Sequence, residues 1–385
     1  MSASALSSDK IESLYVHVPF CGHKCEYCAF YSKLPAADMV NGYVDALIGE
    51  MEMVADDLRP RTVFFGGGTP SLLSISQWRK ILEAMERLEL LGAEEWTVEC
   101  NPATVSAEKA QLLRDFGVNR ISMGVQSLDE NLLERLGRIH SRDQVFKSHE
   151  ILRAAGFENI NLDLMFGIPT QTIEIWRRTL DEIVRLGSEH LSCYEVIYEE
   201  DTPMFEQLQA GQFDVDEDLI EEMYEALLER SERAGFQQYE VANFEKPERG
   251  CRHNVNYWRG GSFYGLGPSA TEYVRGNRRK SWNNTQLYVE RVRSGQRAHE
   301  YEETLPDLGR AGETAAFGLR MNRGWRFDEF QKTTGFDLRE HWREEMNDLI
   351  LDALGEELDD GFRLTRRGLR FADTAAAMFL RSETA

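Results

Sequence analysis

The chain has 385 residues, 42% hydrophobic and 29% charged, enough for one large domain and a smaller one. Its 44 basic and 66 acidic residues leave a net charge of −22, which excludes a nucleic-acid binder with a basic footprint and electrostatic docking on anionic lipid. There is no apolar run of about 18 residues or more, and MSASALSSDKIES at the start has no basic stretch followed by an apolar one. Neither a membrane span nor a secretory signal is expected, and the address read is cytoplasmic, where thiols stay reduced.

Strand-like and helix-like segments alternate over the first two-thirds of the chain. LYVHV (14–18) reads as a strand, 38–58 as a helix, and TVFF (62–65) as a strand ending in Gly66-Gly67-Gly68. A helix over 76–91, strand WTVEC (96–100), helix 106–116 and strand VNRISMGV (118–125) follow. Next come helices 129–136 and 142–155, strand NINLDLMF (159–166), helix 171–186, strand HLSCYEV (190–196), helix 216–234 and a weaker strand QYEVAN (238–243). This alternation implies βαβ units and a parallel sheet, and six units fit a complete or partial TIM-like barrel. Residues 246–280, rich in Gly, Asn and Arg, break the pattern, and from 307 the chain becomes helix-rich with a hairpin expected in 361–371. The domains expected are a barrel core over 1–245, a connecting segment over 246–306 and a small C-terminal helical domain of winged-helix type over 307–385.

Three of the six cysteines, Cys21, Cys25 and Cys28, fall within CGHKCEYCAF just after the first strand. Three thiolates on one loop can hold three irons of a [4Fe–4S] cubane, leaving the fourth iron open to a small chelating molecule. A radical S-adenosylmethionine (SAM) site works in this way: the amino and carboxylate groups of SAM fill the vacancy and an electron from the cluster cleaves the sulfonium C–S bond. The rival reading is structural zinc, with His17 or His23 completing the ligand set. Barrel proteins place chemistry at the C-terminal ends of strands. Gly66-Gly67-Gly68-Thr69-Pro70, Glu99, Gln126, Asp163, Tyr194 and Glu195 all fall there. The glycines let backbone groups approach a ligand closely, or simply make a tight turn. Glu99 and Asp163 suit ribose hydroxyls or an ammonium, or else core hydrogen bonds, and Arg138 suits a carboxylate.

LYVHVPFCGHKCEYCAFYS, FFGGGTPS, GVQS, NLDLMFGIP and HNVNYW resemble the HemN/HemW branch of the radical SAM proteins, over roughly 12–380. The resemblance implies a partial (β/α) barrel with a HemN-type C-terminal domain. It also implies a cluster on Cys21, Cys25 and Cys28, and SAM contacts from Tyr15, Tyr27, Gly67, Gly68, Thr69, Glu99, Gln126, Arg138 and Asp163. The branch divides into oxygen-independent coproporphyrinogen III oxidases and heme chaperones. The oxidases typically carry a fourth cysteine two residues after the third, where this chain has Phe30, and a long segment before the first strand, where this chain has about a dozen residues. Both departures, and the match of His253–Trp258 to the HNxxYW motif, favour the chaperone side. On that side His253 is implicated in heme binding, with Tyr257 and Trp258 on the porphyrin face and Cys251 as an alternative ligand. A structural loop with a core tryptophan is the other reading of that motif. The expected function is heme binding and delivery to an acceptor hemoprotein at the respiratory membrane, with cluster and SAM gating transfer or supporting a homodimer. The alternative is a radical SAM oxidoreductase acting on coproporphyrinogen III or a related tetrapyrrole.

Overall fold

The computed structural model of the chain describes residues 10–381, so residues 1–9 of the N-terminal stretch read above as lacking a signal lie outside the described residues. The opening elements are β1 (Ile11–Val18), α1 (Ala37–Val54), β2 (Leu58–Gly67), α2 (Ile75–Arg87), β3 (Glu95–Cys100), α3 (Ala107–Asp115) and β4 (Arg120–Gln126). They continue with α4 (Glu130–Arg135), α5 (Arg142–Ala154), β5 (Ile160–Phe166), α6 (Ile173–Leu186), β6 (His190–Glu195), α7 (Pro203–Gln209) and α8 (Glu217–Arg233). Strands β1 to β6 pair in parallel in chain order. Local chemistry sets the helix boundaries. Ser74 with Gln77 and Ser141 with Gln144 form capping boxes on α2 and α5, and Gly187 in the left-handed region (φ +79°) ends α6.

Alternation along each strand divides the two faces of the sheet. In β3, Trp96 and Val98 enter the apolar layer beneath the helices, while Glu95 and Glu99 face the barrel interior. Trp78, Trp96 and Trp176 are fully buried in that layer. Each removes on the order of 200 Å² of mostly apolar surface from water, about 5 kcal/mol of gross stabilisation before entropy. The interior face is polar.

The segment over 246–306 is not a mere connection. After a hairpin of β7 (Gln237–Glu240) and β8 (Asn243–Glu245), antiparallel on β6, come α9 (Arg252–Trp258) and β9 (Tyr264–Leu266). Strand β9 pairs in parallel with β1 and closes the other edge of a nine-stranded sheet, in the order β7-β8-β6-β5-β4-β3-β2-β1-β9. The sheet ends at β7 and β9, so the barrel is partial. Strands β10 (Thr271–Val274), β11 (Asn277–Ser281) and β12 (His299–Thr304) make a second sheet, and α10 (Thr285–Arg293) packs on α1. Tyr264, Leu266, Val274, Tyr288 and Val292 belong to the barrel's own core. Strand β9 gives the first strand a parallel neighbour, and Gly265 lets its backbone run tight against Thr271.

The C-terminal unit has a separate core around Trp325, Phe330, Trp342 and Phe362. It contains α11 (Asp307–Gly318), β13 (Trp325–Arg326), α12 (Phe327–Thr334), α13 (Leu338–His341), α14 (Arg343–Leu351), β14 (Gly355–Leu358), β15 (Gly361–Leu364), α15 (Arg366–Arg370) and α16 (Ala372–Phe379). The hairpin lies at β14–β15, earlier than the 361–371 expected, because Thr365 caps α15. This unit docks against α9: Arg320 lies 4.9 Å over the Trp258 ring and Arg259 4.4 Å over Trp325. No helix among the described residues is long and apolar enough to cross a membrane.

Candidate cofactor site

The cysteine loop crosses the barrel mouth at the C-terminal ends of the strands. Backbone bonds from Cys21 N–H to Lys33 O (3.1 Å) and Lys33 N–H to Pro19 O (2.8 Å) pin its two ends, and Glu26 N–H donates to Leu136 O (3.1 Å). Cys21, Cys25 and Cys28 line one cavity of about 180 Å³. Tyr27, Gly67, Gly68, Thr69, Glu99, Gln126, Arg138 and Asp163 line the same cavity. With Tyr194 of β6 also in the lining, the loop, residues from five strands and the turn after α4 thus converge, which the sequence alone placed only by strand order.

The glycines are required by geometry. Gly67 sits at φ +96°, donates its N–H to Glu99 Oε2 (3.1 Å), and any Cβ there would overlap the His17 ring. A Cβ on Gly68 would lie 2.6 Å from Val18 O and 2.7 Å from Phe20 O, both backbone atoms that cannot swing away. Gly68→Ala should therefore displace the turn and weaken SAM binding by about tenfold or more, since 1.4 kcal/mol of misfit already costs that factor. Equilibrium dialysis of cluster-loaded protein with labelled SAM measures it, and wild-type retention would refute a cradle at this turn.

The electrostatics fit an anionic cluster beside a cationic ligand. Arg138 donates through Nη2 to Gly124 O (2.6 Å) and through Nη1 to Cys25 Sγ (3.6 Å), and its buried Nε has no partner. Burial works against its charge, but Tyr27 and Cys25 nearby more than offset that, so the guanidinium stays charged next to the thiols. The Cys28 thiol is pushed up by burial, and by Cys25 and Cys21, so neutralisation by iron would relieve it. Thr69 Oγ1 donates to Cys21 Sγ at 3.6 Å. Burial and the nearby Asp163 charge push the Glu99 carboxyl up to about 8, against the pull of the Gly67 N–H. Asp163 is raised by burial too, although Asn161 Nδ2 donates to it at 2.7 Å. Two buried carboxyls facing a cavity suit a cationic, hydroxyl-bearing guest, and SAM has both properties. Gln126, held at φ +65°, accepts from Tyr194 O–H at 2.9 Å.

Zinc fits less well. His17 has its two ring nitrogens engaged by Tyr15 Oη (3.1 Å) and Tyr31 O (3.0 Å). Among the described residues no three His, Cys, Asp or Glu side chains converge on a single ion position.

Two expected contacts are placed elsewhere. Tyr15 is half-buried and hydrogen-bonded to His17, and it does not line the cavity. His253 is on the barrel's inner side of α9 and is only 1% exposed. Its Nδ1 lies 2.9 Å from Thr62 Oγ1 and 3.1 Å from Ser13 Oγ, its Nε2 2.6 Å from Tyr257 Oη, and its ring stacks on Phe64 at 5.3 Å. With both nitrogens taken and no face open, His253 does not fit heme ligation in this fold. Tyr257 packs on Phe263 (4.3 Å), and Trp258 is held by the C-terminal unit rather than offered to a porphyrin. Cys251 is also 1% exposed, with its thiol pushed up to about 12 by burial and by Glu95. The motif is a plug: Glu95 accepts the N–H groups of Arg252 and His253 (both 2.9 Å) at the start of α9.

Ser122, Gly124 and Arg120 were not singled out from the sequence. The first two line the cavity, and Arg120 is buried beneath it. The alternation Arg120-Ile121-Ser122-Met123-Gly124 in β4 carried the signal, since its polar and small members share the inner face.

Comparison with known proteins agrees with this geometry. The profile of the Radical SAM superfamily matches residues 15–183 and that of the HemN C-terminal domain residues 305–371. A protein of Lactococcus lactis named heme chaperone HemW is 33% identical over 96% of this chain and 98% of its own length. The Bacillus subtilis protein of that name is 33% identical over 96% and 99%, and the Escherichia coli one 37% over 67% and 69%. In structure, coproporphyrinogen III oxidase (HemN) of Escherichia coli superposes with a TM-score of 0.84 at 20% identity, covering 97% of this chain and 91% of that one, which shows a shared fold. With full-length relatives above 30% identity and the cluster loop in its place at the barrel mouth, the chain belongs to the HemW family of the radical SAM superfamily.

Proposed function

We propose that this protein is a heme chaperone: it holds a [4Fe–4S] cluster and SAM at the barrel mouth, binds heme, and passes it to an acceptor hemoprotein. Relatives carrying the name heme chaperone HemW along almost their full length support the reading. The observation that carries it within the molecule is Phe30. Where the oxidase pattern has a fourth cysteine, this chain sets an aromatic side chain on the cavity edge, 69% exposed, which suits an apolar macrocycle.

Cluster and SAM together supply reductive cleavage of the sulfonium when bound. In this chain Cys21, Cys25 and Cys28 would hold the iron, Arg138 would balance thiolate charge, and Gly67, Gly68, Glu99 and Asp163 would seat the adenosyl and amino-acid parts of SAM. The protein works in the cytoplasm, with delivery to a respiratory acceptor at the membrane and a homodimer as further parts of the proposal.

Hemin titration of anaerobically reconstituted protein, with and without SAM, tests the reading. Saturable uptake with a stable Soret band, followed by transfer to an apo-hemoprotein that regains activity, is the expected result. No uptake would end it. The oxidase reading draws on the intact cluster and glycine apparatus. Anaerobic incubation with SAM, reductant and coproporphyrinogen III should yield no stoichiometric vinyl product, and its appearance would reverse the assignment.

A further inference from the structure

The chain has eight histidines. His17, His140, His149, His190 and His253 are buried. His299 faces Glu272 at 3.6 Å, and His341 packs against Phe336 and Trp342 in the C-terminal unit. His23 differs from all of them. It stands exposed at the tip of the cluster loop, lines the cofactor cavity, and has no hydrogen bond, ion pair or ring contact among the described residues.

Its surroundings are those of a site for a flat apolar ligand with anionic edges. Phe30 (69% exposed) and Ile139 (55%) line the same cavity. Ile139 and Leu72 approach each other across Gly22, their Cδ1 atoms 3.5 and 3.6 Å from where a Cβ on that glycine would stand. The bare Gly137 turn lies beside the imidazole, with Nε2 3.4 Å from its Cβ position. Lys24, the next residue, is exposed, lines the cavity and has no carboxylate partner among the described residues, although the chain carries a net charge of −22. Large apolar side chains left in water around an unpaired imidazole and an ammonium without a carboxylate partner match the three parts of heme: ring, iron and propionates.

We infer that heme docks across the cluster mouth, with His23 as its axial ligand, Phe30 and Ile139 against the ring and Lys24 at a propionate. This rests on the heme-chaperone reading and moves the ligand from His253 to the cluster loop. His23 is two residues from both Cys21 and Cys25, so its Cα lies within about 7.6 Å of theirs by chain geometry alone. Heme held there covers the entrance to the SAM cavity, so each ligand hinders exchange of the other.

The test is hemin titration of the full, cluster-reconstituted chain, followed by absorption and electron paramagnetic resonance, with iron and sulfide content assayed in each variant. His23→Ala should bind hemin at least about tenfold more weakly and lose the wild-type Soret position and ligand-field signature. Added imidazole should restore both. Lys24→Glu should weaken binding severalfold and leave the Soret position unchanged, a readout that survives even if His23→Ala disturbs the loop. An unaltered spectrum and affinity in His23→Ala, or a Lys24→Glu protein indistinguishable from wild type, would overturn the placement. Failure of wild type itself to take up hemin would instead remove the chaperone reading on which the placement stands.

Discussion

His253→Ala should destabilise the fold by about 2–4 kcal/mol, the cost of a buried cavity plus orphaned hydroxyls, and leave the spectrum of bound hemin unchanged. The imidazole is the shared partner of Ser13, Thr62 and Tyr257, and its ring underlies Phe64. Removing it strands three hydroxyls inside the barrel and loosens the seat of α9, against which the C-terminal unit docks. Burial, with Arg120 nearby, holds its pKa down to about 3. The unfolded chain takes up a proton near the ordinary value of 6.5, so this histidine's share of stability is present above that pH and lost as pH falls toward 3. Urea unfolding at pH 7 and pH 5 measures both effects: wild type should lose stability on acidification, and the alanine variant should start lower and lose less. A heme spectrum altered in His253→Ala, with stability intact, would contradict the structural role.

Glu99→Gln should have opposite effects on stability and on binding. Burial and the neighbouring Asp163 outweigh the Gly67 N–H and Arg120, so the folded pKa of this carboxyl, about 8, lies above the ordinary 4.5. Between those values the unfolded chain has lost the proton and the folded chain keeps it, so stability falls as pH rises through the window. Glutamine removes that fall and should raise the unfolding free energy of cluster-free protein by roughly 2 kcal/mol at pH 8, with little change at pH 4. It also removes the carboxylate that accepts from Gly67 and would meet SAM, so SAM binding should drop by about tenfold or more. Denaturant melts at the two pH values and SAM dialysis check the pair. A variant less stable at pH 8, or one that binds SAM as wild type does, would count against a ligand-facing role for Glu99.

Alanine at Gly68 and His23 and glutamate at Lys24 complete the set, and all five variants probe where side chains point. The sequence contains that information unevenly. The parallel alternation of strands and helices was legible because each strand's period and each helix's caps are written locally: Ser74 with Gln77, Ser141 with Gln144, Gly187 after α6. The cluster loop was legible because its three thiols are neighbours in the chain. Gly67, Gly68 and Glu99 were legible because they end strands, and Asp163 because it interrupts an apolar one, and a parallel sheet gathers strand ends at one mouth.

What the chain order could not reveal were contacts made between distant segments. Strand β9 has three residues and no pattern of its own, and it becomes a strand only because β1 offers a free edge. Tyr15 and His253 bear residue types fit for ligands, but neither lines the cavity: Tyr15 is half-buried against His17 and His253 is fully buried. The sequence marks His23 only as a candidate zinc ligand and Phe30 only as a missing cysteine, and the fold is what leaves both in water at the same opening. Residue type and spacing determined which chemistry this protein holds; which side chains reach it was decided by packing, because exposure belongs to the folded surface and to no single segment.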